Sequence, residues 1–192
     1  MNKANIYLAG PEVFFPNAIE IGQKHKLICQ KNGYLGLYPL DNCIKEDSPE
    51  QTAKAIVEAN INLINKSDIV LANLSNFRGT KANPSCDSGT AWECGYALAK
   101  GKKVIAYTNN LQSIPNTITN YLDLTIISKN FKDLFLYLNT IALKNIHIAY
   151  PQEKITDVQN LDPISSKIQD ANAYSAFILG YRYGKGLSCI AY

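Results

Sequence analysis

A glutamate near the start of a predicted helix is the side chain of this 192-residue sequence best suited to chemistry. Glu93 lies in the run DSGTAWECGYALAKGK, residues 87–102, which begins as a glycine-bearing loop and continues as a helix that ends at Gly101. The unpaired N–H groups and the positive dipole end of a helix start favour an ionised carboxylate. A positioned, ionised carboxylate is what covalent glycosyl transfer needs as a nucleophile, although a glutamate in such a place is more often merely solvated.

Strand and helix patterns alternate along the chain, which predicts the elements that would position Glu93. They indicate an α/β fold in one domain, with an open, mostly parallel central sheet and helices on both faces, a doubly wound sheet of the Rossmann or flavodoxin-like kind. Strands are predicted at residues 5–9, 35–38, 68–73, 103–107 and 124–127, and helices at 18–32, 49–65, 89–100, 131–143 and 162–181. We expect residues 1–145 to form this domain and residues 146–192 to form a C-terminal extension whose helix packs on it.

Ligands of open parallel sheets bind outside the carboxyl ends of the strands. The motif Gly10-Pro11-Glu12 follows the first predicted strand, Asp41 follows the second, and the segment from residue 73 to Asp87 follows the third. These residues are therefore expected to converge at one edge of the sheet.

Composition excludes several classes of function. The net charge of +3, without a basic stripe, argues against a nucleic-acid partner, and no apolar run approaches the roughly 20 residues of a membrane span. We expect a soluble, cytoplasmic protein. The five cysteines are scattered without a C-x-x-C pair, and no G-x-G-x-x-G follows the first strand, so neither a metal site nor a dinucleotide cofactor is expected.

Short motifs follow one another in a set order. They are IYLAGPE at 6–12, YPLDN at 38–42, Ala59-Asn60, SDIVLANL at 67–74, FRG at 77–79 and the run at 87–102. Together, over roughly residues 4 to 135, they resemble the nucleoside 2-deoxyribosyltransferase family. The resemblance implies exchange of nucleobases on 2′-deoxyribonucleosides through a covalent deoxyribosyl-glutamate intermediate, with net retention and without a cofactor.

The resemblance also implies roles for three catalytic residues. Glu93 matches the nucleophile, Asp87 matches a loop aspartate near the substrate, and Tyr7 matches a tyrosine that hydrogen-bonds and orients the nucleophile. The residues themselves leave alternatives open. Asp87 is also suited to cap the following helix, and Tyr7 to fill the core as a strand aromatic.

Asn60 is predicted to lie on the apolar stripe of its helix with Ile56 and Ile64, so its amide must find a buried partner. The family often has aspartate here, near the departing base, and asparagine cannot act as a general acid. If the base needs a proton, Asp87 or water must supply it.

The resemblance places further residues at the substrate. These are Gly10, Phe14, Asp41 and Gly89. Asp41 is equally suited to cap a turn, and Phe14 either stacks on a base or packs. Cys43 stands where one branch of the family has a glutamine that contacts the base, which leaves the base preference open.

The expected partners are 2′-deoxyribonucleosides, free purine or pyrimidine bases, and further copies of the chain. In the family a neighbouring subunit lends an asparagine to the sugar hydroxyl, which implies a homo-oligomer such as a hexamer. Asn116 is the best match, Asn120 is a rival, and an ordinary solvated loop asparagine is the alternative.

Two other functions remain possible from the sequence. A hydrolase of the same superfamily would cleave 2′-deoxynucleoside 5′-monophosphates, and Arg78-Gly79-Thr80-Lys81 is the one candidate for its phosphate pocket. A nucleotide-sensing module would bind without turnover. The presence of Glu93, Asp87 and Tyr7 together argues against the sensor, because a sensor needs no nucleophile.

Overall fold

A central parallel sheet organises the protein. The computed structural model describes residues 4–42, 44, 48–114, 118, 122, 124–127, 131–135, 138 and 171–187. The strands are β1 Asn5–Ala9, β2 Leu35–Leu37, β3 Ile69–Asn73, β4 Lys103–Thr108 and β5 Leu124–Ile127. They lie in the order β2-β1-β3-β4-β5, and every pairing is parallel. This order is that of the flavodoxin-like doubly wound sheet, so the predicted fold class is confirmed.

Four helices accompany the sheet in the described residues. They are α1 Ala18–Lys31, α2 Pro49–Lys66, α3 Ser88–Ala99 and α4 Ala171–Gly184. The Ser48 hydroxyl caps α2 by accepting from the N–H of Gln51, with Pro49 in the first turn. The helix predicted from residue 131 begins instead with a 3-10 turn, Phe131–Asp133, and its end at residue 143 lies outside the described residues. The predicted start of the last helix, at residue 162, also lies outside them.

The alternation of side chains along the strands divides the core into two layers. Tyr7, Val70 and Val104 point to the face covered by α2, α3 and α4. Leu8 and Leu71 point to the opposite face, which α1 covers. The connection after β1 runs to β2 on one side, whereas the connection after β3 runs to β4 on the other side. A crevice therefore forms between the carboxyl ends of β1 and β3, where ligands of such sheets bind. No helix among the described residues is long and apolar enough to cross a membrane.

Candidate active site

Asp87 caps the start of α3. Its Oδ2 accepts hydrogen bonds from the backbone N–H of Thr90, at 2.8 Å, and from the Thr90 hydroxyl, at 3.0 Å. Asp87 is therefore the N-cap of α3, the alternative that its position in the sequence left open. The side chain is buried, yet it also borders the cavity described below.

Glu93 lies in the second turn of α3, and the first turn contains no acidic residue. The helix start therefore does not by itself set the charge of this carboxyl, because Asp87 binds the first-turn N–H of Thr90 and Glu93 lies deeper in the protein. Burial raises the pKa of Glu93 to about 7, and the nearby charge of Asp87 adds to the increase. Hydrogen bonds from Tyr7 and Asn60 act in the opposite direction.

Two neutral donors meet on one oxygen of Glu93. The Tyr7 hydroxyl donates to Oε1 over 2.7 Å, and the Asn60 side-chain amide donates to the same oxygen over 3.1 Å. Tyr7 projects from β1, Asn60 from α2 and Glu93 from α3. Burial and the Glu93 charge raise the pKa of Tyr7 well above its usual value, so its hydroxyl remains a donor at neutral pH. Glu93 therefore supplies the hydrogen-bond partner that the Asn60 amide, on the apolar stripe of α2, requires.

A cavity of about 360 Å³ opens beside this carboxyl. Several predicted site residues share its wall: Gly10, Phe14, Asn60, Asp87, Gly89 and Glu93. The remaining wall is largely apolar, formed by Val13, Pro39, Leu40, Ile44 and Ile56. Cavities of this size, with apolar walls and a few convergent polar groups, are typical of sites for small organic ligands. The described residues contain no cluster of three His, Cys, Asp or Glu side chains that could hold a metal ion.

Asp41 does not line this cavity, and its role in substrate binding stays a prediction. Its carboxylate forms an ion pair with Lys26 of α1 and accepts from the backbone N–H of Tyr38. The carboxylate therefore closes the short turn Pro39–Asp41, as the turn-capping alternative proposed. The neighbouring residues Leu40 and Asn42 line the cavity in its place. Cys43, Asn116 and Asn120 lie outside the described residues.

Glu12 is a buried carboxyl to which the sequence analysis assigned no role. Its Oε1 accepts from the Asn73 amide at 2.5 Å and from the Tyr107 hydroxyl at 3.2 Å. Burial raises the pKa of Glu12, and these hydrogen bonds oppose the increase. The contacts tie the loop after β1 to the ends of β3 and β4, and a Cβ on Gly10 would overlap Glu12 Oε2. A carboxylate directly after a buried strand, within a Gly-Pro turn, is the signal that could have indicated it.

An aromatic cluster stands at the rim of the cavity. Phe14, which lines the cavity, stacks on Phe77 with ring centroids 5.5 Å apart. The Arg78 guanidinium lies 5.5 Å from the Phe14 centroid and 5.3 Å from that of Phe77. Cation–π contacts therefore join the loop after β1 to the loop after β3.

Comparisons with known proteins agree with this architecture. The sequence model of a family described as nucleoside 2-deoxyribosyltransferase matches residues 6–161. An uncharacterised protein of Schizosaccharomyces pombe is 35% identical over 119 residues, which cover 60% of this chain and 55% of that protein. The chain therefore spans little more than half the length of this relative.

Two solved structures are also similar. A 2-deoxyribosyltransferase from Leishmania mexicana shares 32% identity at a TM-score of 0.47, over 56% of this chain and 65% of the other. A 2-deoxyribosyltransferase from Bacillus psychrosaccharolyticus shares 22% identity at a TM-score of 0.55, over 69% of this chain and 90% of the other. The second similarity shows a shared α/β fold.

Proposed function

Because this chain belongs to the nucleoside 2-deoxyribosyltransferase family, we propose that it exchanges nucleobases on 2′-deoxyribonucleosides through a covalent ester on Glu93. The observation that carries the proposal is the Glu93 carboxyl itself, which lines the cavity while Tyr7 and Asn60 hold one of its oxygens. A carboxylate in this setting has fixed orientation and a free oxygen for attack. Covalent glycosyl transfer requires both.

The first half-reaction forms the ester. Since Tyr7 and Asn60 both bind Oε1, Oε2 of Glu93 is the oxygen that attacks C1′ of the sugar. The bond from C1′ to the base nitrogen breaks, and its electron pair leaves with the base, which takes up a proton. Asn60 cannot provide that proton. A water molecule supplies it, either directly or through Asp87 on the cavity wall, whose ionised carboxylate must first take up a proton from solvent.

The second half-reaction reverses the first with a different base. A nitrogen of the incoming base attacks C1′ and loses its proton, and Glu93 departs as a carboxylate. Each half-reaction inverts C1′, so the product keeps the configuration of the substrate. As Glu93 leaves, the hydrogen bonds from Tyr7 and Asn60 stabilise the charge that returns to its oxygens.

The apolar part of the cavity suits the base. A purine or pyrimidine ring is flat and apolar on its faces, and Val13, Leu40 and Ile56 offer matching walls. Phe14 stands at the rim with more than half of its surface exposed, where a ring can stack on it. No cofactor is required for the exchange. The homo-oligomer with a neighbour's asparagine at the sugar stays a prediction.

The exchange assay tests the proposal. Incubation with deoxyinosine and free adenine should yield deoxyadenosine and hypoxanthine, measured by chromatography. A 2′-fluoro-arabinosyl nucleoside should leave its sugar on the peptide that contains Glu93, because fluorine destabilises the oxocarbenium-like transition state and slows breakdown of the ester. Mass spectrometry detects the adduct. Exchange without any adduct, with intersecting double-reciprocal plots, would contradict the covalent mechanism.

We predict that the acid limb of kcat/KM has its midpoint at about pH 7. Glu93 attacks only when ionised, and its pKa is raised to about 7, so activity falls as the pH drops through that value. Tyr7→Phe should move the limb to higher pH, because it removes a hydrogen bond that lowers the pKa of Glu93. A limb near pH 4.5, the usual value for glutamate, would show that burial does not raise the pKa of Glu93.

One observation favours a second function, hydrolysis of 2′-deoxynucleoside 5′-monophosphates. The Arg78 guanidinium lies against Phe14 at the cavity rim, where a cation can meet a phosphate. Turnover of deoxyadenosine compared with that of its 5′-phosphate, without an acceptor base, separates the two functions. Release of free base from the phosphate alone supports hydrolysis.

A further inference from the structure

The helix that carries Glu93 packs directly against the C-terminal helix α4, backbone against backbone. A Cβ on Gly95 of α3 would overlap the carbonyl oxygen of Phe177, and a Cβ on Gly180 of α4 would overlap the carbonyl oxygen of Trp92. Each helix therefore has a glycine where the main chain of the other helix arrives. The contact is reciprocal, and it determines how closely the two helices approach.

Both glycines lie inside their helices, where glycine is less favourable than alanine because it loses more backbone entropy on folding. The close approach explains why an unfavourable residue occupies these positions. Ala173 and Phe177 of α4 also belong to the same core cluster as Tyr7 and Cys94. Thus α4 packs against α3 and contributes to the same core cluster.

Glu93 is held from two directions as a result. Its carboxyl is bound by Tyr7 and Asn60, while the residue before it, Trp92, rests with its backbone on Gly180. The distances of 2.7 Å and 3.1 Å at the carboxyl therefore depend on where α3 sits against α4. A movement of α3 of a few tenths of an ångström would change the geometry of both hydrogen bonds.

We propose that α4 is a positioning element of the active site, in which Gly180 and Gly95 set the depth of α3 and thereby place the Glu93 carboxyl against Tyr7 and Asn60. The catalytic consequence rests on the proposed function of Glu93, whereas the placement itself rests on the helix packing. Residues 171–184 follow the segment that the family match covers, so the family similarity does not account for this helix.

Gly180→Ala tests the proposal, because its methyl group would push on the Trp92 carbonyl. We expect the titration midpoint of the Glu93 carboxyl to shift by at least about half a pH unit, since displacement of the carboxyl changes the hydrogen bonds from Tyr7 and Asn60 that lower it. We also expect kcat to fall at least about tenfold while KM changes less than about twofold. NMR of ¹³C-carboxyl-labelled glutamate, assigned with Glu93→Gln, reads the midpoint without any substrate.

Neighbouring groups do not confuse this titration. Among the described residues, the titratable side chains that interact with Glu93 are Tyr7 from β1, Asp87 from the helix cap and Cys94 from α3 itself. Burial raises the pKa of both Tyr7 and Cys94 well above their usual values, so neither ionises in the range where Glu93 does. Asn60 of α2 contributes a neutral donor.

Gly184→Ala is the matched control. It lies one turn further along α4, where a Cβ would come within 2.6 Å of the Ala99 side chain and 3.0 Å of the Tyr96 carbonyl oxygen. It therefore presses on the far end of α3 rather than on Trp92, the residue next to Glu93. The control should lower Tm, as Gly180→Ala does, yet leave the Glu93 midpoint and kcat unchanged. Equal shifts in both variants, or a shift in neither, would reduce α4 to a purely structural element and overturn the proposal.

Native-state hydrogen exchange of the wild-type chain covers the case in which Gly180→Ala does not fold. Amides of α3 around Glu93 and of α4 around Gly180 should show the same protection, because two helices that stabilise each other unfold locally as one unit. Exchange in α4 at least about a hundredfold faster than in α3 would overturn the proposal. If the wild-type chain exchanges no bases but shows the expected protection, and Gly180→Ala shows the expected midpoint shift, the proposed function alone is rejected.

Discussion

Glu93→Gln should reduce base exchange at least about a thousandfold, because loss of a nucleophile removes the covalent route altogether. Glutamine keeps the size of the side chain, and its amide oxygen can still accept from Tyr7 and Asn60, so the fold should survive. Exchange is measured with deoxyinosine and adenine under single-turnover conditions. Residual activity above a tenth of wild type would rule out Glu93 as the nucleophile, and Glu93→Ala should behave in the same way.

The same variant should be more stable than wild type above pH 7. The unfolded chain releases the Glu93 proton near pH 4.5, whereas the folded protein holds it until about pH 7. The folded state therefore binds more protons between these values, and stability falls as the pH rises through that window. At about 1.36 kcal/mol per pH unit the loss is at most about 3 kcal/mol, and glutamine avoids it.

Chemical denaturation at pH 8 and at pH 4 measures this effect. The gain in the free energy of unfolding should appear at pH 8 and vanish at pH 4, where the carboxyl is protonated in both states. Glu58→Gln is the matched control, since Glu58 is an exposed residue of α2 whose one ion pair, with Lys54, spans 3.9 Å. If Glu93→Gln changes the free energy of unfolding at pH 8 as little as Glu58→Gln does, Glu93 is not desolvated.

The fold was predictable because its signals are local. The buried run at residues 5–9 and the Ser48-Pro49 helix start need only their own neighbours to be interpreted. The cap formed by Asp87 is likewise local, since its partner Thr90 is three residues away. The parallel pairing of β1 with β3 is not a local signal. It follows from the alternation of strands with helices along the chain rather than from any one motif.

The site was less predictable because its contacts are distant in sequence. Tyr7 and Glu93 are 86 residues apart, so the depth of burial that raises the pKa of Glu93 exists only once β1 and α3 are packed. Glu12 meets Tyr107 across 95 residues for the same reason. Asp41 shows the converse: its motif indicated the substrate, but Lys26 on α1 binds the carboxylate.

We predict that kcat/KM for deoxyadenosine exceeds that for adenosine at least about a hundredfold. A 2′-hydroxyl withdraws electron density from C1′ and disfavours an oxocarbenium-like transition state. The hydroxyl would also lie near C1′, where Glu93 is flanked by Tyr7 and Asn60. A hundredfold preference requires about 3 kcal/mol of differential transition-state stabilisation.

Arabinosyladenine separates the two causes of this preference, because it carries the same electron-withdrawing hydroxyl on the opposite face of the sugar. If electronics dominate, adenosine and arabinosyladenine should react equally slowly. If the crowding by Tyr7 and Asn60 around Glu93 contributes, adenosine should be the slower of the two. Displacement with inversion brings Glu93 in on the face opposite the base, and that is the face on which the 2′-hydroxyl of adenosine lies. Deoxyinosine against inosine repeats the comparison with a second base. Comparable kcat/KM values for deoxyadenosine and adenosine would contradict the assignment, and would indicate a general nucleoside hydrolase or a ribosyl-transferring enzyme.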